Sequence, residues 1–196
     1  MPLDEELEVR VDEDTARAFA GDELVLDAVA ATPLAPWDAP PVSIDEARAA
    51  TARFTPPADG TFDRCFVCGR ARHDDGFGVF PGPLEGTDLV AASWTPPTWA
   101  ADADGAVLPR FVWAALDCPG YFAVHGADLA LAFLARQQSA LLAPIRAGIE
   151  HVVVGRPLER DRRKGFAATA ILDSAGTVLA HSEQLLIQPR EGMSHK

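Results

Sequence analysis

The sequence predicts an α+β chain in which antiparallel strands pack on one long buried helix. Two patterns carry that prediction. Phe111, Ala114, Ala115 and Cys118 recur at three- and four-residue spacing, and Trp113 and Leu116 widen the apolar face. A helix apolar on nearly all sides is one that the fold buries. Residues 166–172 and 177–187 are strand-like and flank Asp173-Ser174-Ala175-Gly176, which reads as a hairpin turn. With the β-branched run 151–154 and a strand at 88–94, the order is loop, strand, helix, then three or four strands. That order places one helix against one sheet face.

The remaining elements follow along the chain. Residues 7–11 alternate apolar and charged side chains, as a half-buried strand does. Gly21-Asp22 signals a turn, and 24–30 reads as the partner strand; 15–19 carries a weaker signal. Four prolines (Pro33, Pro36, Pro40, Pro41) make 32–41 an extended linker. Ser43 followed by Glu46 is a capping box, so a short helix is expected over 44–54, stopped by Pro56-Pro57. The expected division falls near Gly60. Residues 1–60 hold a strand pair, the linker and the short helix; 61–190 form the main domain; 191–196 are a tail. Pro109 suits the first turn of the buried helix, and Pro119-Gly120 is its expected end. Residues 128–142 are rich in Ala and Leu, which on propensity alone favours a helix.

Composition limits the function classes. The chain has 196 residues, 48% of them apolar, enough for one good core. The formal charge of −12 argues against nucleic acid and anionic membranes as partners. No stretch approaches the roughly 20 apolar residues of a membrane helix, and residues 1–10 are acidic without an apolar core, so a cytoplasmic location is expected. Three cysteines in such a chain are expected to be reduced thiols.

Three segments resemble a known family. Cys65-Phe66-Val67-Cys68-Gly69 followed by Gly76-Phe77-Gly78-Val79-Phe80 resembles the opening segment of hotdog-fold thioesterase-superfamily proteins. Phe111-Val112-Trp113-Ala114-Ala115-Leu116-Asp117-Cys118-Pro119-Gly120 resembles their central helix, and the run from Arg163 to Ile187 their last hairpin. More narrowly, the chain is similar to actinobacterial hotdog proteins of unassigned function that pair CFVCG with WAALDCPG. The resemblance implies an antiparallel sheet wrapped around one long central helix, with 128–142 as a strand. It implies a homodimer, or a tetramer, with the active site between subunits at the helix. It also implies a small-molecule acyl thioester as ligand, carried on coenzyme A or an acyl carrier, with coenzyme A entering only as part of the substrate and no separate cofactor.

In similar thioesterases a carboxylate on this helix attacks the thioester carbonyl or activates water, which assigns that role to Asp117. The family's His-Gly-Gly before the helix is replaced here by Leu108-Pro109-Arg110. Proline has no N–H to give, so an oxyanion would rely on the N–H groups of Arg110 and Phe111 at the helix N-terminus. Substrate contacts are expected from Trp113 and Tyr121, and from Arg160, Arg162, Arg163 and Lys164, a basic cluster suited to coenzyme A phosphates. Trp94, Trp99, Trp113 and Phe122 are candidate walls of an acyl tunnel. His125 is a weak partner for Asp117 in a hydratase or dehydratase, and His151 and His181 are expected to be structural. Cys65-x-x-Cys68, with His73 and Cys118 as further ligands, invites zinc; with only one such pair in the chain, no metal is expected. Thioester hydrolysis by Asp117 is the leading reading. The rivals are an acyl-CoA binding or sensing module, a hydratase-like enzyme, and a structural dimer with zinc at Cys65 and Cys68.

Overall fold

The computed structural model describes residues 6–30, 32, 34–38, 41–72, 75–126 and 131–190. Pro33 and Pro40 of the proline linker, His73, residues 127–130 and the tail 191–196 lie outside the described residues. The chain forms two compact units, residues 1–33 and 34–196. The division therefore falls at Pro33 and not near Gly60. The short helix, expected to belong with the N-terminal segment, packs in the larger unit.

The small unit is a meander of β1 (Glu8–Val11), β2 (Thr15–Ala20) and β3 (Glu23–Val29). The expected pair is thus a triple, because the weak segment at 15–19 pairs on both sides. β1 is exposed along its whole length, against the half-buried expectation. Its Arg10 guanidinium lies 4.4 Å from the Phe19 ring centroid on β2, and between β2 and β3 Arg17 bridges Asp27 at 3.1 Å.

The large unit opens with α1 (Ile44–Ala52). Its capping box is present: the Glu46 N–H donates to Ser43 Oγ, and the Ser43 N–H donates to Glu46 Oε2 at 2.8 Å. Then come β4 (Gly82–Pro83), β5 (Val90–Trp94), α2 (Pro109–His125), β6 (Phe133–Leu141), β7 (His151–Asp161), β8 (Lys164–Leu172) and β9 (Val178–Ile187). The six strands form one antiparallel sheet in the order β4-β5-β7-β8-β9-β6. The Ala- and Leu-rich segment is the edge strand β6: pairing along β9 overrides helix propensity.

Strand alternation gives the sheet two buried faces. Trp94, Val153, Ala167, Ile171 and Ala180 meet α2. Ala91, Val152, Val154, Ala170 and Leu172 belong to a second cluster with Ala47 and Ala50 of α1. That second layer explains why residues 152–154 are all valine: each one is buried, on one side or the other.

α2 passes through Pro119-Gly120, where the sequence predicted its end, and stops at His125. A proline inside a helix forfeits the bond to the carbonyl four residues back. Tertiary contacts hold this one in place. The Leu116 carbonyl accepts hydrogen bonds from Thr169 Oγ1 (2.9 Å) and Gln184 Nε2 (2.7 Å), both reaching up from the sheet. Gly155 of β7 lies under the Pro119 carbonyl, where any Cβ would collide with it.

Candidate active site

Asp117 sits midway along α2, on the turn that the sheet clamps. It lines a pocket of about 190 Å³ with Phe62, Cys65, Cys68, Cys118, Tyr121, Phe122, Leu186, Ala132 and the first two residues of β6, Phe133 and Leu134. It is the only carboxylate among those lining residues, and it makes no hydrogen bond or ion pair among the described residues. Burial, and then the negative charge of Cys65, push its carboxyl up to about 6. A half-buried carboxylate without a protein partner is costly unless it has a task.

The pocket is otherwise apolar and aromatic, apart from three thiols. Tyr121 packs edge-on against Phe62 at 4.9 Å and Phe122 at 5.1 Å. Its phenol is pushed up to about 12 by burial, with the charges of Asp59 and Cys68 adding to the shift. The Cys65 and Cys118 sulfurs are 3.7 Å apart, and all three thiols are free. Cys65 is held far below the ordinary thiol range by hydrogen bonds from Cys118 and Cys68, which outweigh its burial. Cys118 is driven up by hydrogen bonds to Cys65 and Cys68 and by burial.

No protein-family model matches the chain, and no curated protein matches it in sequence. Solved structures do. One is a thioesterase superfamily protein: TM-score 0.52, 18% identity, covering 58% of this chain and 55% of that one. The chain thus spans about half the length of that neighbour. A second is a thioesterase from Haemophilus influenzae: TM-score 0.51, 17% identity, covering 60% of this chain and 84% of that one. The chain has the hotdog fold.

On this hotdog scaffold, only some of the residues singled out by sequence come together. Asp117 and Tyr121 share the pocket; Arg110, Phe111 and Trp113 do not line it. The Phe111 N–H donates to the Leu108 carbonyl at 2.9 Å. It is therefore committed to the first turn, against its expected role toward an oxyanion. The Phe111 ring joins an aromatic cluster with Phe66, Phe77 and Trp99. Arg110 lies over that ring, 4.8 Å from its centroid. Helix rise puts Arg110 about 10 Å along the axis from Asp117. Trp113 is exposed on the outer side of the helix, where its carbonyl accepts from Gln137 Nε2.

Tyr121 and His125 were expected just past the helix and are instead buried within it. Among the expected tunnel walls only Phe122 borders the pocket. Trp94 is core, with its indole N–H donating to the Phe77 carbonyl at 3.0 Å, and Trp99 is half-exposed. Arg160, Arg162, Arg163 and Lys164 form the exposed turn between β7 and β8, outside the pocket. Arg163 nonetheless lines a shallow hollow with Ile187, Arg190 and Phe133, and Phe133 also borders the Asp117 pocket.

The site also contains residues that sequence reasoning left out. Phe62, Ala132, Phe133, Leu134 and Leu186 are ordinary apolar residues with no distinguishing signal. Cys118 is named by sequence as a further ligand beside Cys65 and Cys68, but no spacing in the chain places the three together as the structure does.

Proposed function

We propose that the chain hydrolyses acyl thioesters carried on coenzyme A or an acyl carrier, with Asp117 as nucleophile or general base. The observation that carries this reading is the placement of Asp117: a single unpartnered carboxylate on the central helix of a hotdog fold, facing a small apolar pocket. A thioester carbonyl seated there would meet a carboxylate and little water. Arg163 and Arg190 border the adjoining hollow and suit the phosphates of a nucleotide carrier.

A homodimer fits this reading. β6 is an edge strand, and Phe133, Leu134 and Leu141 on it are exposed. An apolar edge strand is a template for pairing with another chain. Phe133 and Leu134 also border the Asp117 pocket, so a second copy docked there would help to enclose the substrate.

A non-catalytic acyl-CoA binding module is the second reading. It is favoured by the helix N-terminus: Pro109 has no N–H, and the Phe111 N–H is already used. The test is thiol release from a panel of acyl-CoAs, with wild type and Asp117→Asn side by side. Hydrolysis predicts release by wild type that falls about a hundredfold or more in the variant. Saturable acyl-CoA binding without release at any chain length would overturn hydrolysis in favour of the binding module.

A further inference from the structure

The three cysteines form a centre that thioester hydrolysis leaves unused. Cys65 and Cys68 lie on the loop before Gly69, and Cys118 comes from α2. Their sulfur atoms all lie within 4.8 Å of one another, and Cys65 and Cys118 are 3.7 Å apart. Thiolates held tetrahedrally at about 2.3 Å from zinc are themselves about 3.8 Å apart. The triangle is already close to the size that such an ion requires.

The loop is shaped for the same task. The Cys65 N–H donates to the Phe62 carbonyl at 2.9 Å, and the Gly69 N–H donates to the Cys65 carbonyl at 2.9 Å. The Ala71 N–H reaches back to Asp63 at 3.0 Å. A Cβ on Gly69 would fall on the backbone of Cys65 and Asp63, so only glycine permits the turn. The turn holds Cys65 and Cys68 on one short loop beside Cys118 of α2, and the thiolate is the form that binds metal.

The rest of the surroundings defines the ligand class. Three sulfurs make a soft donor set, which favours zinc over magnesium, calcium or manganese. Zinc takes four ligands, and sites with three protein ligands keep the fourth position open. All three cysteines line the Asp117 pocket. We propose that Cys65, Cys68 and Cys118 bind a Zn²⁺ ion that pins the knuckle to α2, its fourth position opening into that pocket. Binding would displace the remaining thiol protons.

The test uses the full chain, reduced and stripped of metal, titrated with Co²⁺ and then Zn²⁺. The site predicts thiolate-to-cobalt charge-transfer absorption and the intense visible bands of four-coordinate cobalt, saturating at one ion per chain and bleached by zinc. Zinc should also protect all three cysteines from alkylation, read by mass spectrometry. Cys118→Ser should weaken zinc binding by more than the roughly 10–100-fold cost of losing an outer-shell partner. Because Cys118 is buried, Cys65→Ser on the half-buried loop serves as a second variant, with circular dichroism checking the fold of both. Absence of charge-transfer absorption in folded, reduced protein would overturn the site. So would a folded Cys118→Ser variant that binds zinc as tightly as wild type, since that would leave only the loop pair.

Discussion

The two faces of the sheet differ in chemistry. The face under α1 is mainly aliphatic: Ala47, Ala50, Leu84, Leu89, Ala91, Val152, Val154, Ala170 and Leu172 pack with Val42, and His181 is a buried polar side chain on that side. The face under α2 holds the aromatic cluster and the thiols, and Thr169, Ser182 and Gln184 are buried there as well. Thr169 and Ser182 share a 2.7 Å hydrogen bond, and Thr169 and Gln184 both hold the Leu116 carbonyl, one residue before Asp117. One sheet therefore has a side that only has to pack and a side that also has to position a carboxylate. Thr169, Ser182 and the Gln184 amide nitrogen are tolerated on the second side because each has a backbone or side-chain partner.

Each helix approaches the sheet over a glycine, and this gives the largest expected effects. A Cβ at Gly155 would strike the Pro119 carbonyl and lie 2.9 Å from Val90 Cγ2. A Cβ at Gly82 would strike the Ala50 carbonyl and lie 2.8 Å from the Phe54 nitrogen. Backbone must move in both cases, so Gly155→Ala and Gly82→Ala should each cost more than about 4 kcal/mol by urea unfolding. The two should then diverge in the fraction that stays folded. Gly155→Ala displaces α2 two residues from Asp117 and should abolish thiol release. Gly82→Ala lifts α1 and should leave release per folded molecule unchanged. Equal losses of activity would mean that the two faces are mechanically coupled.

A milder test addresses the aliphatic face alone. Leu172 is 2% exposed there, and Leu172→Ala should cost about 2–5 kcal/mol. Thiol release per folded molecule should match wild type. A fall in release at full folding would show that the α1 face supports the site as well as the fold.

The same contrast explains what the sequence made legible. Periodicity found α2 and the strands because a buried helix and a half-buried hairpin each repeat at their own period. The capping box placed the start of α1 because Ser43 and Glu46 form a local structure. Neither signal reports what a helix packs against, so α1 was assigned to the N-terminal segment although it covers the second sheet face. Pro119-Gly120 read as a stop because the groups that carry the helix through it, Thr169 and Gln184, lie about 50 residues or more away in sequence. Asp117 was legible as a charge on an apolar helix. The site around it was legible only in part. Arg110 and Phe111 adjoin the helix start in sequence but are about two turns from Asp117, whereas Cys65 and Cys68 are distant in sequence and share its pocket.

The smallest expected effect separates the faces by pH. His151 pairs with Trp94 across the ladder and so shares the α2 side; His181 pairs with Ala170 and shares the α1 side. Burial lowers the pKa of both rings. For His151 the Ile149 carbonyl, 2.7 Å from Nδ1, opposes the shift without cancelling it. With both values below the ordinary 6.5, the unfolded chain binds protons more readily than the folded one. Stability from these rings is then fully present above about pH 6.5 and declines as the pH falls below it. Carboxylates such as Glu150, held below 4.5 by Arg48 and Ser93, lose their contribution only at lower pH. Asp117, raised to about 6, takes up a proton in the same window more readily folded than unfolded and opposes that decline. In an Asp117→Asn background urea midpoints should therefore drop between about pH 7.5 and 5.5, and adding His151→Gln or His181→Gln should each flatten part of that drop. A flat profile in that background would show that both rings take up protons in the folded chain as readily as in water. If only His181→Gln flattened the profile, the titration would be confined to the α1 face, with His151 on the α2 face charging freely beside Trp94.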